Sequence, residues 1–153
     1  MKSTPDSHDP DWPNYPETIL TFATTPPVEI DLRAIPPDNA LAALSSAGFG
    51  KPFAIMTAFD PRGENHPAAE NERRERELEQ RLGAAGYEFV LVDCCSPDRS
   101  HCERSVAVVM PQEEAVALAR ELEQVAIFWF DGERFWIVGA GVETDPLMLP
   151  RSS

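Results

Sequence analysis

The stretch Val92–Ser105, VDCCSPDRSHCERS, holds three cysteines, a histidine, two aspartates and a glutamate, and three chemistries compete for it. Tetrahedral zinc sites take ligands spaced as C-x2-4-C pairs, which let the chain wrap the ion. Here Cys94-Cys95 and His101-Cys102 are adjacent pairs, and strand neighbours point to opposite faces, so each pair offers one ligand at most. No metal and no cofactor is expected. A vicinal disulfide or redox switch is disfavoured, because only Arg99 and Arg104 stand nearby to lower a thiol pKa. The cysteines read instead as small, half-buried hydrophobes. The third chemistry is acid–base. In a strand starting near residue 101, His101, Glu103 and Ser105 project from one face, continued by Ala107 and Val109. A carboxylate beside an imidazole orients the ring and raises its pKa toward neutrality, so His101 and Glu103 are the catalytic candidates. Ser105 is assigned to ligand contact, since no oxyanion hole is recognisable beside it. The structural alternative is a polar strand entrance with Glu103 bridged to Arg74.

Two further segments supply polar groups. Leu78, Leu82 and Ala85 mark the inward stripe of a long helix, and stepping back four and seven residues from Leu78 reaches Arg74 and Asn71. Polar groups under a helix need partners or a ligand. Arg74 would hold an anionic group by its planar fork or neutralise Glu103. Glu72, Arg73, Glu77 and Glu79 read as the solvated face of that helix. Thr57 and Asp60 lie at the C-terminal end of the preceding strand, where open sheets place ligand crevices.

The positioning elements are legible from pattern. Residues 1–16 carry four prolines and read as a loose N-terminal arm, which Trp12 and Tyr15 could pin. A single domain is expected over residues 17–142, with a loose tail over 143–153. Thr18, Leu20 and Phe22 share one parity, and Val28, Ile30 and Leu32 alternate with charges, giving two strands around Pro26-Pro27. Asp38 caps a short helix stopped by Gly48. The apolar run PFAIMTAF predicts a central strand covered on both faces. Pro67 opens the long helix, which runs to Gly83 or Gly86. YEFVLVD and SVAVVM are strands, and Pro111 opens a third helix on which Ala115, Ala119 and Leu122 recur. Asp131-Gly132 joins two aromatic strands as a two-residue hairpin turn. The order ββαβαββαββ, with about three helices on a mixed sheet, predicts an α+β or α/β sandwich.

Composition bounds the partners. With 13 basic and 26 acidic residues in 153, the net charge is −13, a surface that repels nucleic acid phosphate and anionic lipid. Neither nucleic acid nor membrane is an expected partner, and no run approaches a membrane span. The opening residues lack the apolar core of a secretory signal, and three cysteines make a poor disulfide framework, so a cytoplasmic location is expected. Phe128, Trp129, Phe130, Phe135 and Trp136 have no accompanying basic stripe, and are assigned to core or homodimer contact rather than base stacking.

Taken as a set, the segments FAIMTAFDPRG, ENERRERELEQRL, SPDRSHCERSVAV and LEQVAIFWFDGERFWIVGA resemble a bacterial family known only as a domain of unknown function. That family carries T-A-x-[ND]-P, E-N-x-x-R, H-x-E-x-S and Q-x-A-I-F-W. These motifs fall here on Thr57, Asp60, Pro61, Asn71, Arg74, His101, Glu103, Ser105, Gln124, Ala126 and Phe128, over residues 52–140. The resemblance brings no activity or cofactor; it implies that the polar groups found by periodicity belong to one recurring pattern. The expected function is a module binding a small anionic ligand or a protein partner through a polar pocket. The alternative is a small hydrolase- or transferase-like enzyme using His101 and Glu103.

Overall fold

The computed structural model describes residues 12–60, 66–141 and 145–150. Alternating or continuous apolar runs become strand at β1 (Ile19–Phe22), β2 (Val28–Asp31), β3 (Phe53–Met56), β4 (Phe89–Cys95), β5 (Cys102–Val108), β6 (Ala126–Phe130) and β7 (Phe135–Gly139). A short β8 (Leu147–Leu149) completes one sheet in the order β2-β1-β4-β5-β3-β6-β7-β8. Helices α1 (Asp38–Leu44), α2 (Ala68–Ala84) and α3 (Gln112–Glu121) each follow a proline, whose fixed φ starts a helix without losing a bonded N–H. No helix among the described residues is long and apolar enough to cross a membrane.

The sheet is curled into a half-barrel. Phe22 on β1 and Phe53 on β3 lie three strand spacings apart, about 14 Å in a flat sheet. Their ring centroids are 6.0 Å apart, which only a concave surface allows. Phe53 also meets Phe49, Phe130 and Phe135, so the concave core is built round one aromatic cluster beside α1. The convex face carries Ala54, Met56, Val106 and Val108, covered by Leu78 and Leu82 of α2 and Ala115, Leu118 and Ala119 of α3. As its unbroken apolar run implies, β3 is buried on both faces.

The expectation of a mixed sheet is corrected: every strand pair is antiparallel. A helical crossover normally returns the chain to a parallel neighbour. Here β3–α2–β4 is such a crossover, but β5 is inserted between its two strands, and β5–α3–β6 is likewise split by β3. The crossover strands are parallel yet never adjacent. Three local expectations also shift. The 143–153 segment read as loose contains β8. The arm read as loose ends in a 3-10 turn, Trp12–Glu17, from which Tyr15 packs on Phe128 with centroids 6.0 Å apart. The hairpin turn falls one residue later than read, on Gly132-Glu133, because Asp131 already pairs with Arg134. The Asp131 carboxylate caps that turn, accepting from the Glu133 and Arg134 amides and from Trp136 Nε1.

Candidate functional site

Side-chain parity sorts the polar candidates. On β5, Glu103 and Ser105 share the concave face with Ala107, while Arg104 shares the convex face with Val106 and Val108. Across the strand pair, Cys94 stands opposite Glu103 and Val92 opposite Ser105, so the Cys94 thiol joins the concave face. Toward the C-terminal end of β3 the concave face opens into a cavity of about 500 Å³. Ile55, Ala126 and Phe128 give it an apolar floor; Thr57, Asp60, His101, Glu103 and Ser105 give it polar walls.

Five of the seven residues singled out from sequence therefore line one cavity. His101 Nε2 and Glu103 Oε2 are 3.4 Å apart, with His101 largely exposed and Glu103 half-buried. Ser105 Oγ is buried and donates to the Glu103 carbonyl at 3.4 Å, within its own strand. The Cys94 thiol is pushed up to about 12. Burial is the first cause, and the Glu103, Asp93 and Glu75 carboxylates add to it against a Ser105 hydrogen bond. That direction favours the neutral thiol.

Asn71 and Arg74 do not reach the cavity. Arg74 Nε donates to the Ala58 carbonyl at 3.1 Å and Nη2 to that of Leu122 at 3.4 Å, which ties the guanidinium to backbone carbonyls. Asn71 is buried; its Oδ1 accepts from the Asp60 amide and its Nδ2 donates to Asp60 Oδ1, both at 2.9 Å. Gln124 Nε2 donates to the Phe59 carbonyl at 2.9 Å. Glu75, which the helical stripe also predicts three residues before Leu78, is fully buried and accepts from the Ala58 amide at 2.8 Å and from Thr57 Oγ1 at 3.3 Å. Thr57 Oγ1 also meets the Arg104 carbonyl at 2.8 Å. Four side chains, three from α2 and one from the segment after α3, thus satisfy backbone groups of residues 58–60, which leave the sheet with no strand partner. These side chains hold a loop in shape, and that loop forms one wall of the cavity.

Asp60 sits at φ 45, the left-handed region that Asp and Asn tolerate best among residues with a side chain. Pro61 lies outside the described residues. Asp60→Asn keeps the Oδ1 acceptor and the φ tolerance, and is expected to change stability by less than about 0.5 kcal/mol. Asp60→Ala loses both and should cost about 1–2 kcal/mol in thermal or denaturant unfolding. Equal costs for the two would contradict this role.

Two further readings are corrected. Cys95 and Cys102 form a disulfide, so only Cys94 serves as a small, partly buried group. Adjacency along the chain hid this: Cys95 pairs not with its neighbour but across the β4–β5 ladder, where facing residues of an antiparallel pair come close. Glu79 is not on a solvated face; its carboxylate is mostly buried and binds Arg104 Nη2 at 2.9 Å. The Cys95–Cys102 disulfide closes a turn whose Ser96, Asp98, Ser100 and His101 reach the cavity rim. Asp98 Oδ1 organises it, accepting from Ser96 Oγ, Ser100 Oγ and the Ser100 amide, which lowers its pKa to about 2.

These features define an α+β half-barrel domain with a ligand-sized cavity on its concave face. Residues 56–127 match the family model described as Protein of unknown function (DUF3293). The chain is thus similar to an uncharacterised family over the span from the end of β3 to the start of β6. No curated protein and no solved structure matches it.

Proposed function

We propose that this domain binds a small organic molecule in the concave cavity. The carrying observation is the cavity itself, about 500 Å³ inside a curled sheet whose remaining interior is filled by interlocked aromatic rings. Protein interiors ordinarily close such space, and ligand sites are mostly apolar hollows with a few placed polar groups. The anionic ligand expected from Arg74 has no support, because that guanidinium is spent on carbonyls. A fragment screen by protein-observed NMR tests the reading. Hits should shift Ile55, Ala126 and Phe128 signals, and Ala126→Phe, which fills the floor, should weaken them at least about tenfold. Ile55→Phe serves if the first variant unfolds. Hits that ignore both fillings would sink the proposal.

The His101–Glu103 contact supports a second reading, acid–base catalysis on whatever occupies the cavity. It predicts a ligand that wild type converts and His101→Gln binds unchanged.

We propose a cytoplasmic location, which predicts a reduced Cys95/Cys102 pair in freshly lysed, alkylated cells. An oxidised pair in that assay would place the chain in an oxidising compartment.

A further inference from the structure

We infer that the Cys95–Cys102 bridge is a reversible modification site, at which exchange with small thiols and disulfides switches the cavity between a binding and a weakly binding form. This adds regulation to the ligand-binding reading, on which it rests. The bridge closes a loop of sequence separation 7 and joins the last facing pair of the β4–β5 ladder. The pairs before it, from Phe89 facing Val108 to Cys94 facing Glu103, hold the two strands together without it. Opening the bond leaves the sheet standing and releases the turn alone.

That turn supplies Ser96, Pro97, Asp98, Ser100 and His101 to the cavity wall. The Ser96 amide donates to the His101 carbonyl at 2.9 Å and the Arg99 amide to the Ser96 carbonyl at 2.8 Å, bonds that fold the turn on itself without fastening it to the sheet. Its side chains reach the rest of the sheet through Arg99 to Glu29 and His101 to Glu103, both exposed contacts. Such contacts are individually weak. Arg99 also sits at φ 59, a left-handed backbone that a residue with a β-carbon adopts at a cost. The bridge thus holds the cavity wall in a shape that this stretch of chain does not prefer by itself.

The bond is open to exchange. Cys102 is exposed and does not line the cavity, whereas Cys95 is buried. A small thiolate attacks Cys102 Sγ from solvent; the Cys95–Cys102 bond breaks, and Cys95 leaves as a thiolate that takes up a proton. A second thiolate attacks the small molecule's sulfur in the mixed disulfide, and Cys102 leaves and is protonated in turn. The protein gains two electrons, the two thiols depart as one small disulfide, and that disulfide drives the reverse. Exposed bridges are the labile ones. A short loop gains little stability from its bridge, so by linkage the fold does little to resist reduction. Cys94 does not scramble the pairing, because it projects from the other face of β4 and burial favours its neutral thiol. Where thiols are kept reduced, the bridged form arises only when small disulfides accumulate.

The test uses Nile red, an uncharged dye that brightens in apolar surroundings, as the binding probe, and glutathione with its disulfide as the redox pair. The full chain is equilibrated at set ratios of the pair, alkylated to count free thiols by mass, and titrated with dye. Oxidised wild type should bind at least about fivefold tighter than reduced wild type, and affinity should follow the thiol count in both directions. Cys95→Ala with Cys102→Ala should bind like reduced wild type at every ratio, and Cys94→Ala should still switch. Equal affinity in the oxidised and reduced forms overturns the switch while the cavity reading stands. So does a bond that glutathione breaks in denatured but never in native protein. If oxidised protein binds no dye, or if Ala126→Phe and Ile55→Phe both leave dye binding unchanged, the ligand-binding reading falls and the switch falls with it.

Discussion

Glu75→Gln is expected to stabilise the protein above neutral pH by as much as about 3 kcal/mol, and to leave it nearly unchanged near pH 4. Glu75 is fully buried and its pKa is raised from 4.5 to about 7. Burial is the largest cause, and Glu79 one turn along adds to it, against hydrogen bonds from the Ala58 amide and Thr57. A raised pKa means that the folded protein favours the protonated acid. That preference contributes its full stability below about 4.5, where the unfolded chain also holds the proton, and is lost progressively until about pH 7. Above that the folded state carries a buried charge. Its Oε2, which has no hydrogen-bond partner among the described residues, is the natural home of the proton. Glutamine keeps the acceptor that holds residues 57 and 58 and cannot ionise. Denaturant unfolding of both proteins between pH 4 and 9 isolates residue 75, because the other acids titrate alike in each and cancel in the difference. Parallel curves would show that folding leaves the Glu75 pKa where the unfolded chain has it and that burial does not dominate it. Glu75→Ala should instead lower stability at every pH, since the Ala58 amide is then buried without its acceptor.

That Glu75 escaped the sequence reading shows where pattern stops. Stepping back from Leu78 by four and by seven reached Arg74 and Asn71, and the step of three, equally inward, lands on Glu75. A fully buried glutamate is so rare unless paired that its neighbours, not its spacing, justify it. Those neighbours are the Ala58 amide and the Thr57 hydroxyl, and no side-chain type announces a backbone that has left its sheet. The strands and helices were legible because alternation, prolines and glycines act locally. Sheet order was not. Both helical crossovers look from sequence like links between adjacent parallel strands, and only the insertion of β5 and of β3 makes the sheet antiparallel throughout. The cavity was half legible. His101, Glu103 and Ser105 shared a parity on one strand, whereas Tyr15, Phe128 and Cys94 joined them through curl and register, which connect residues more than a hundred positions apart.

Replacing Cys95 and Cys102 together by alanine is expected to cost about 2 kcal/mol, the closure entropy of a short loop released into the unfolded chain. The effect on binding should be larger than that figure suggests. The bridge clamps the base of the turn that carries Ser96, Asp98, Ser100 and His101 to the cavity rim. Within the turn the bonds are exposed: Asp98 to Ser100 at 3.0 Å, Ser96 Oγ to Asp98 at 2.8 Å, and Arg99 to Glu29 across to β2. Exposed contacts of this kind are individually worth little, so the covalent link decides whether the turn keeps one shape. Wild type in reductant should fall to the stability of the double variant, while the variant ignores reductant. Amide exchange should rise over residues 96–101 and stay slow in β3, whose residues are buried on both faces. Cys94→Ala is the control. Its thiol takes no part in the bridge, so the variant should retain both the disulfide mass and the reductant response. Reductant that leaves wild-type stability and exchange untouched would mean that the turn is held by its hydrogen bonds alone. In that case the cavity rim is set by Asp98, and Asp98→Ala would become the variant that loosens it.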